Sequence, residues 1–188
     1  MRTPRAEEIV ARARGIIERG AGDRLTMRRL ADEMGIQAPS LYKHFPDKEA
    51  IQRAVHVDYL TALRDAVAAA GAAVDDPEHP LVRVARAHRA HCLANRELYA
   101  YVHVLPYPRA EAAGVLKDIR LVWFHAAGTS DLALAVYAFT RGMVELEIRS
   151  LTPLGAEADG GYEEGLAAFV ARAERVGPSP SERRGSQH

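Results

Sequence analysis

An all-α fold is predicted by three observations. Apolar residues recur every three or four positions along the chain, and no stretch alternates apolar and polar side chains at a period of two. Breaks at Pro106/Pro108, Gly128 and the Gly-rich 155–161 separate the runs. At 188 residues, 48% hydrophobic and 27% charged, the chain can bury a good core and hold one large or two small domains. The pattern divides it into a small head at 1–50, a larger helical body at 51–177 and an end at 178–188. That end has almost no apolar content and is expected to be disordered.

The opening helix is marked by Thr3 as cap and Pro4 at its first position, with Ile9, Val10, Ala13, Ile16 and Ile17 on one face and Gly20 after its end. Thr26 caps a second helix in which Leu30, Ala31 and Met34 share a face. Gly35 ends it, because glycine tolerates the left-handed backbone of a tight C-terminal turn, and Ile36 turns toward the core. The third helix opens at Gln37 or Ala38, accepts Pro39 in its first turn, and buries Leu41 with Phe45. Pro46 halts it. Asp47 caps a long fourth helix running to about Gly71, with a break at Asp75–Pro80. Further helices are expected at 80–95, 97–104, 109–126, 130–150 and 161–176.

Two short helices around a glycine turn, the second with a polar outer face, form a helix-turn-helix pattern suited to DNA. Gln37, Ser40, Lys43 and His44 lie on that face or at its start, and Arg28 opens the helix before it. Arg28 and Lys43 match guanine O6/N7, Gln37 matches adenine, and the small Ala38 and Pro39 suit a thymine methyl. Charge is distributed in keeping with this reading. The whole chain is neutral, yet residues 1–48 hold ten Lys/Arg against seven Asp/Glu, net +3, and the remainder fifteen against eighteen, net −3.

The ordered set Thr26, Arg28, Leu30, Ala31, Met34, Gly35, Ile36, then Leu41 to Glu49 (LYKHFPDKE), resembles the signature of the TetR (tetracycline-repressor-like) family of bacterial transcriptional regulators over roughly residues 5–60. Gln37 departs from it, standing where a small hydroxyl residue is common. The resemblance implies an N-terminal three-helix DNA-binding domain plus a larger C-terminal helical ligand-sensing and dimerisation domain. It also implies a homodimer on a palindromic double-stranded DNA operator, with repression relieved by a small-molecule effector of unspecified class. By the same analogy Tyr42, Lys48 and the hydroxyl or amide of Thr26 hold phosphates, fixing register rather than sequence.

A sensing domain needs an apolar cavity with a few polar groups. Tyr99, Tyr101, His103, Trp123, His125, Tyr137, Arg141 and Glu145 are the candidates. Leu132, Val136, Phe139, Met143 and Leu146 step by 4-3-4-3, as do Tyr162, Leu166, Phe169, Ala173 and Val176, the spacing of a helix-packing seam expected at a dimer interface. Ala135, Val144, Ile148 and Leu151 lie off that stripe. His88 and His91 at i, i+3, with Cys92 and His103, offer an alternative as a metal-sensing repressor or, more remotely, a helical metalloenzyme. No nucleophile motif or phosphate-cradling glycine loop is present, so neither catalysis nor a cofactor is expected. The single cysteine suits a reducing cytosol. The longest apolar run, Leu132–Phe139, falls far short of the ~20 residues a membrane span needs.

Overall fold

The protein is described by a computed structural model over residues 2–149 and 157–176, and the described residues contain helices and no strand. The helices are α1 (Pro4–Ile16), α2 (Met27–Glu33), α3 (Ala38–Tyr42), α4 (Lys48–Gly71), α5 (Pro80–Ala94), α6 (Arg96–Val102), α7 (Arg109–Ala127), α8 (Ser130–Ile148) and α9 (Glu157–Val176). They form two compact units, one built from residues up to Ala62 with Asn95–Val115, the other from Leu63–Ala94 with the residues from Leu116 onward. The first unit therefore includes α6 and the segment after it, which a division at residue 50 does not group with the head.

In the first unit the local signals do what their chemistry dictates. Thr3 Oγ1 accepts from the Ala6 amide at 3.3 Å, and α1 buries Ile9, Val10, Ala13 and Ile16 before ending through a wide turn in which Gly20 takes φ 69°. Thr26 Oγ1 accepts from the Arg29 amide at 3.1 Å. At the other end of α2, Gly35 adopts φ 64°, its amide donates to the Asp32 carbonyl and the Ile36 amide reaches back to Ala31. That paired closure satisfies two carbonyls a helix end would otherwise leave orphaned. Leu30, Ala31, Leu41 and Phe45 are buried beneath the turn, while Ile36 is only half-buried. Asp47 Oδ1 then accepts from the Ala50 amide at 2.6 Å, starting α4, whose Ile51, Val55 and Tyr59 enter the core.

The second unit is organised by α5, α8 and α9, which pack on one another. Thr129 caps α8 through the Leu132 amide. α9 starts at Glu157 and runs through Gly160 and Gly161, which the sequence assigns to a loop. Helical glycine costs ~1 kcal/mol against alanine, and burial of Ala158 and the Tyr162 ring on either side outweighs it. Leu151 and the end at 178–188 lie outside the described residues.

Two arginines of α5 in this unit are closely matched. Arg89 forks onto both Glu147 oxygens at 2.8 and 2.7 Å, also meets Asp159, and lies 4.8 Å above the Tyr162 ring. The Glu147 hydrogen bonds raise its guanidinium pKa further. Burial pushes the Tyr162 phenol up to about 12. Arg83, 8% exposed, donates through Nε to the Ala70 carbonyl at 3.0 Å and through Nη1 to those of Asp76 and Glu78. The Asp75–Pro80 segment is thus tied back by a side chain of α5 rather than left as a free linker.

Candidate functional site

α3 is short, and its position follows from what it buries. Leu41 and Phe45 hold one side against the core, the Phe45 amide donating to the Leu41 carbonyl at 3.0 Å to extend the helical turn past Tyr42. Everything opposite is left to solvent. Gln37, Pro39, Lys43 and His44 are exposed, Tyr42 is 54% exposed, and Ala38 and Ser40 are half-buried. Gln37 is the residue before α3, and its side chain makes no capping hydrogen bond. The Ser40 amide donates instead to the Gln37 carbonyl at 2.9 Å, and the Gln37 side-chain amide is not consumed as a cap.

Thr26 and Arg28 are also exposed, and Lys48 is half-buried in the first turn of α4. Thr26 Oγ1 is committed as an acceptor to the Arg29 amide, which leaves its hydroxyl proton to donate. In α4, Asp47 takes the Ala50 amide, so the orphan donors left for an anion are earlier in that turn, beside the Lys48 ammonium. Arg29 and Arg19, by contrast, are both drawn to Glu33. All ten residues expected to meet DNA thus lie in the first unit, on α2, α3, their flanks and the first turn of α4.

The eight residues expected around a ligand separate. Tyr99, Tyr101 and His103 belong to the first unit, and Trp123, His125, Tyr137, Arg141 and Glu145 to the second. Tyr101 is engaged within the first unit by two contacts of its own. Its hydroxyl accepts from Gln52 Nε2 at 2.6 Å, and its ring covers Gly22 so closely that a Cβ there would fall 2.5 Å from a ring carbon. Tyr99 and His103 stack with ring centroids 3.9 Å apart, and His103 Nδ1 donates to the Tyr99 carbonyl at 2.8 Å, which fixes its tautomer. Two residues the sequence reading passed over join them: His56 from α4 and Tyr107 from the segment after α6, their rings edge to face at 4.9 Å. Burial, and then the charge of His103, push the His56 imidazole down to about 4. In the second unit Trp123 and Tyr137 meet His88 as mutually tilted rings 5.6–5.8 Å apart. His125 and Arg141 are exposed, and Glu145 pairs with Arg149.

Of the expected dimer seam, Leu132, Val136, Tyr162 and Leu166 are buried where α8 meets α9 within one chain. Phe139 stacks on Tyr162 and sits against Gly165, where any Cβ would collide with its ring. Met143, Phe169 and Ala173 are half-buried and Leu146 is exposed. The largest exposed apolar side chain of α8 is Leu134 at 67%, off the predicted stripe. His88 and Cys92 are buried, and His103 lies in the other unit. Among the described residues no three His, Cys, Asp or Glu side chains are grouped to hold a metal ion, so neither the metal-sensor nor the metalloenzyme alternative gains support.

The described residues are helical, with a glycine-closed helix-turn-helix whose second helix has a polar, exposed outer face. Residues 9–55 match the profile of the bacterial regulatory proteins, tetR family. Over 91% of its length the chain shares its fold with solved proteins. A protein of Streptomyces coelicolor A3(2), described as a possible TetR family transcriptional regulator, is 24% identical over 91% of this chain and 99% of its own, with a TM-score of 0.65. BioQ of Mycobacterium smegmatis is 23% identical over 91% and 98%, with a TM-score of 0.59. A TetR variant from Acinetobacter baumannii AYE, solved in complex with minocycline, is 22% identical over 91% and 97%, with a TM-score of 0.62. No curated protein matches the chain significantly. Among the described residues no helix is long and apolar enough to cross a membrane.

Proposed function

We propose that the protein is a homodimeric, ligand-responsive transcriptional regulator that represses from a palindromic operator and leaves it when a small molecule binds. The observation that carries the DNA reading is the division of labour along α3 and its flanks, where Leu41 and Phe45 are the buried anchors and Gln37, Tyr42, Lys43 and His44 are exposed. Such a helix offers donors and acceptors at the spacing of base edges, while Thr26, Tyr42 and Lys48 suit flanking phosphates. Dimerisation is supported by apolar surface on the second unit, with Leu121 and Phe124 on α7 and Leu134 and Leu146 on α8 exposed in the single chain. Two copies place two heads on a two-fold symmetric site.

A ligand releases DNA only to the extent that it binds the released conformer more tightly. α6 supports a route between the two events, since Tyr101 presses on Gly22 just before α2 while Tyr99 and His103, on the same helix, belong to the His56 cluster. Selection of bound fragments from random duplex DNA tests the core of the proposal. A palindrome with half-sites about one helical turn apart is expected; failure to enrich any duplex at low ionic strength would reject it.

A further inference from the structure

We propose that His56 is the polar anchor of a binding site in the first unit for a neutral aromatic hydroxy compound of the phenol class. The inference rests on the effector-responsive reading above and names the chemistry of the effector. His56 is 1% exposed, and neither Nδ1 nor Nε2 has a hydrogen-bond partner. A buried imidazole in that condition is unusual, because interior polar atoms are nearly always paired. What surrounds it is aromatic. The Tyr107 ring meets it edge-on at 4.9 Å and the His103 ring lies at 6.4 Å, itself stacked on Tyr99 and edge-on to Tyr59. An aromatic guest gains from both edge and face contacts in such company.

The polar end of the guest is set by charge. Near neutral pH the His56 ring is uncharged, with one nitrogen able only to accept and the other only to donate. A hydroxyl donates to the accepting nitrogen directly. A carboxylate could accept only from the donating nitrogen, would leave the accepting one unmet, and would bring a negative charge into the interior, where burying an unpaired charge is costly, while Arg2 and Arg53 are already drawn to Asp58 and Glu111. Tyr107 is 42% exposed, so one side chain separates the buried imidazole from solvent-facing surface.

The test compares 2-naphthol, naphthalene and 2-naphthoate binding to the full chain at pH 7 by fluorescence titration. The expected result is that 2-naphthol binds at least ~10-fold more tightly than either analogue, since a site built to pair a hydroxyl rejects ligands lacking it. His56→Phe should erase that preference. Equal affinity for the three probes, no binding of 2-naphthol, or a preference that survives His56→Phe overturns the proposal. Should the variant misfold, the ¹⁵N resonances of the wild-type His56 ring decide: they must move with 2-naphthol and stay still with naphthalene. DNA affinity is read separately in the same samples. Binding that leaves DNA affinity unchanged keeps the site and overturns its effector role, whereas absent binding overturns the site and leaves the DNA-binding reading standing.

Discussion

Arg83 in the second unit and His56 in the first are both buried, nitrogen-rich side chains, and the protein treats them in opposite ways. Arg83 spends its donors on three backbone carbonyls around the end of α4, and so converts an otherwise loose connection into part of the core. His56 spends nothing, with both ring nitrogens sealed from water and unmatched by protein. A satisfied buried group is a structural staple, and an unsatisfied one is capacity held in reserve. The first unit carries such reserve in two places, on the exposed face of α3 and at His56, whereas the second uses most of its polar groups to hold itself together. Trp123 is one exception there, its indole nitrogen buried without a hydrogen-bond partner.

Mutations at the two sites should therefore differ in sign. Arg83→Ala leaves its carbonyls unanswered and should cost about 3 kcal/mol in urea unfolding, with Arg83→Lys recovering only part. Little or no loss would break the comparison at its second-unit end. His56→Leu should be neutral or stabilising at pH 7, because it removes an unmet requirement. Its effect grows with acid. The unfolded chain protonates His56 near 6.5 and the folded one only at about 4, so wild-type stability is lost as pH falls between those values, by roughly 3 kcal/mol at the lower end. The leucine variant should lack that part of the slope, and identical pH profiles would show that His56 is paired in solution.

A smaller effect is expected at the connection between the two reserves. Gly22→Ala places a methyl within 2.5 Å of the Tyr101 ring and should cost about 1–3 kcal/mol. Combining it with Tyr101→Ala should restore most of the loss if the ring is the obstacle. Lys48→Ala should have the least effect on stability, within about 0.5 kcal/mol. It should lower the salt-dependence slope of DNA binding by about one unit per subunit without changing sequence preference. A changed preference at constant slope would move Lys48 from phosphate to base.

What was legible in the sequence was local. Thr3, Thr26 and Asp47 each make the capping bond their position predicts, and Gly35 closes α2 by the left-handed turn expected of it. Each of these depends on residues three or four apart. The residues of the proposed His56 site were harder because their meaning depends on distant chain. His56 lies among Val55, Tyr59 and Leu60 in α4 and reads as one more interior position, and only the arrival of His103 and Tyr107 gives it a role. Tyr101 looks from sequence like its neighbours Tyr99 and His103, yet it sits on Gly22 because successive residues of a helix face different ways. The heptad-like seam of α8 and α9 was a true packing signal, much of it answered within the chain: spacing reveals that a face is covered, not by which molecule.

The hydroxyl of Thr26 carries an evolutionary consequence. Its oxygen holds the first turn of α2 while its proton stays free to donate, so the position accepts serine, which keeps both abilities. Aspartate would cap the helix as well, but it would bring a negative charge and no proton toward the polyanionic DNA proposed as its partner. Descendants of this chain should drift between threonine and serine here and avoid the acidic residue that helix stability alone would permit.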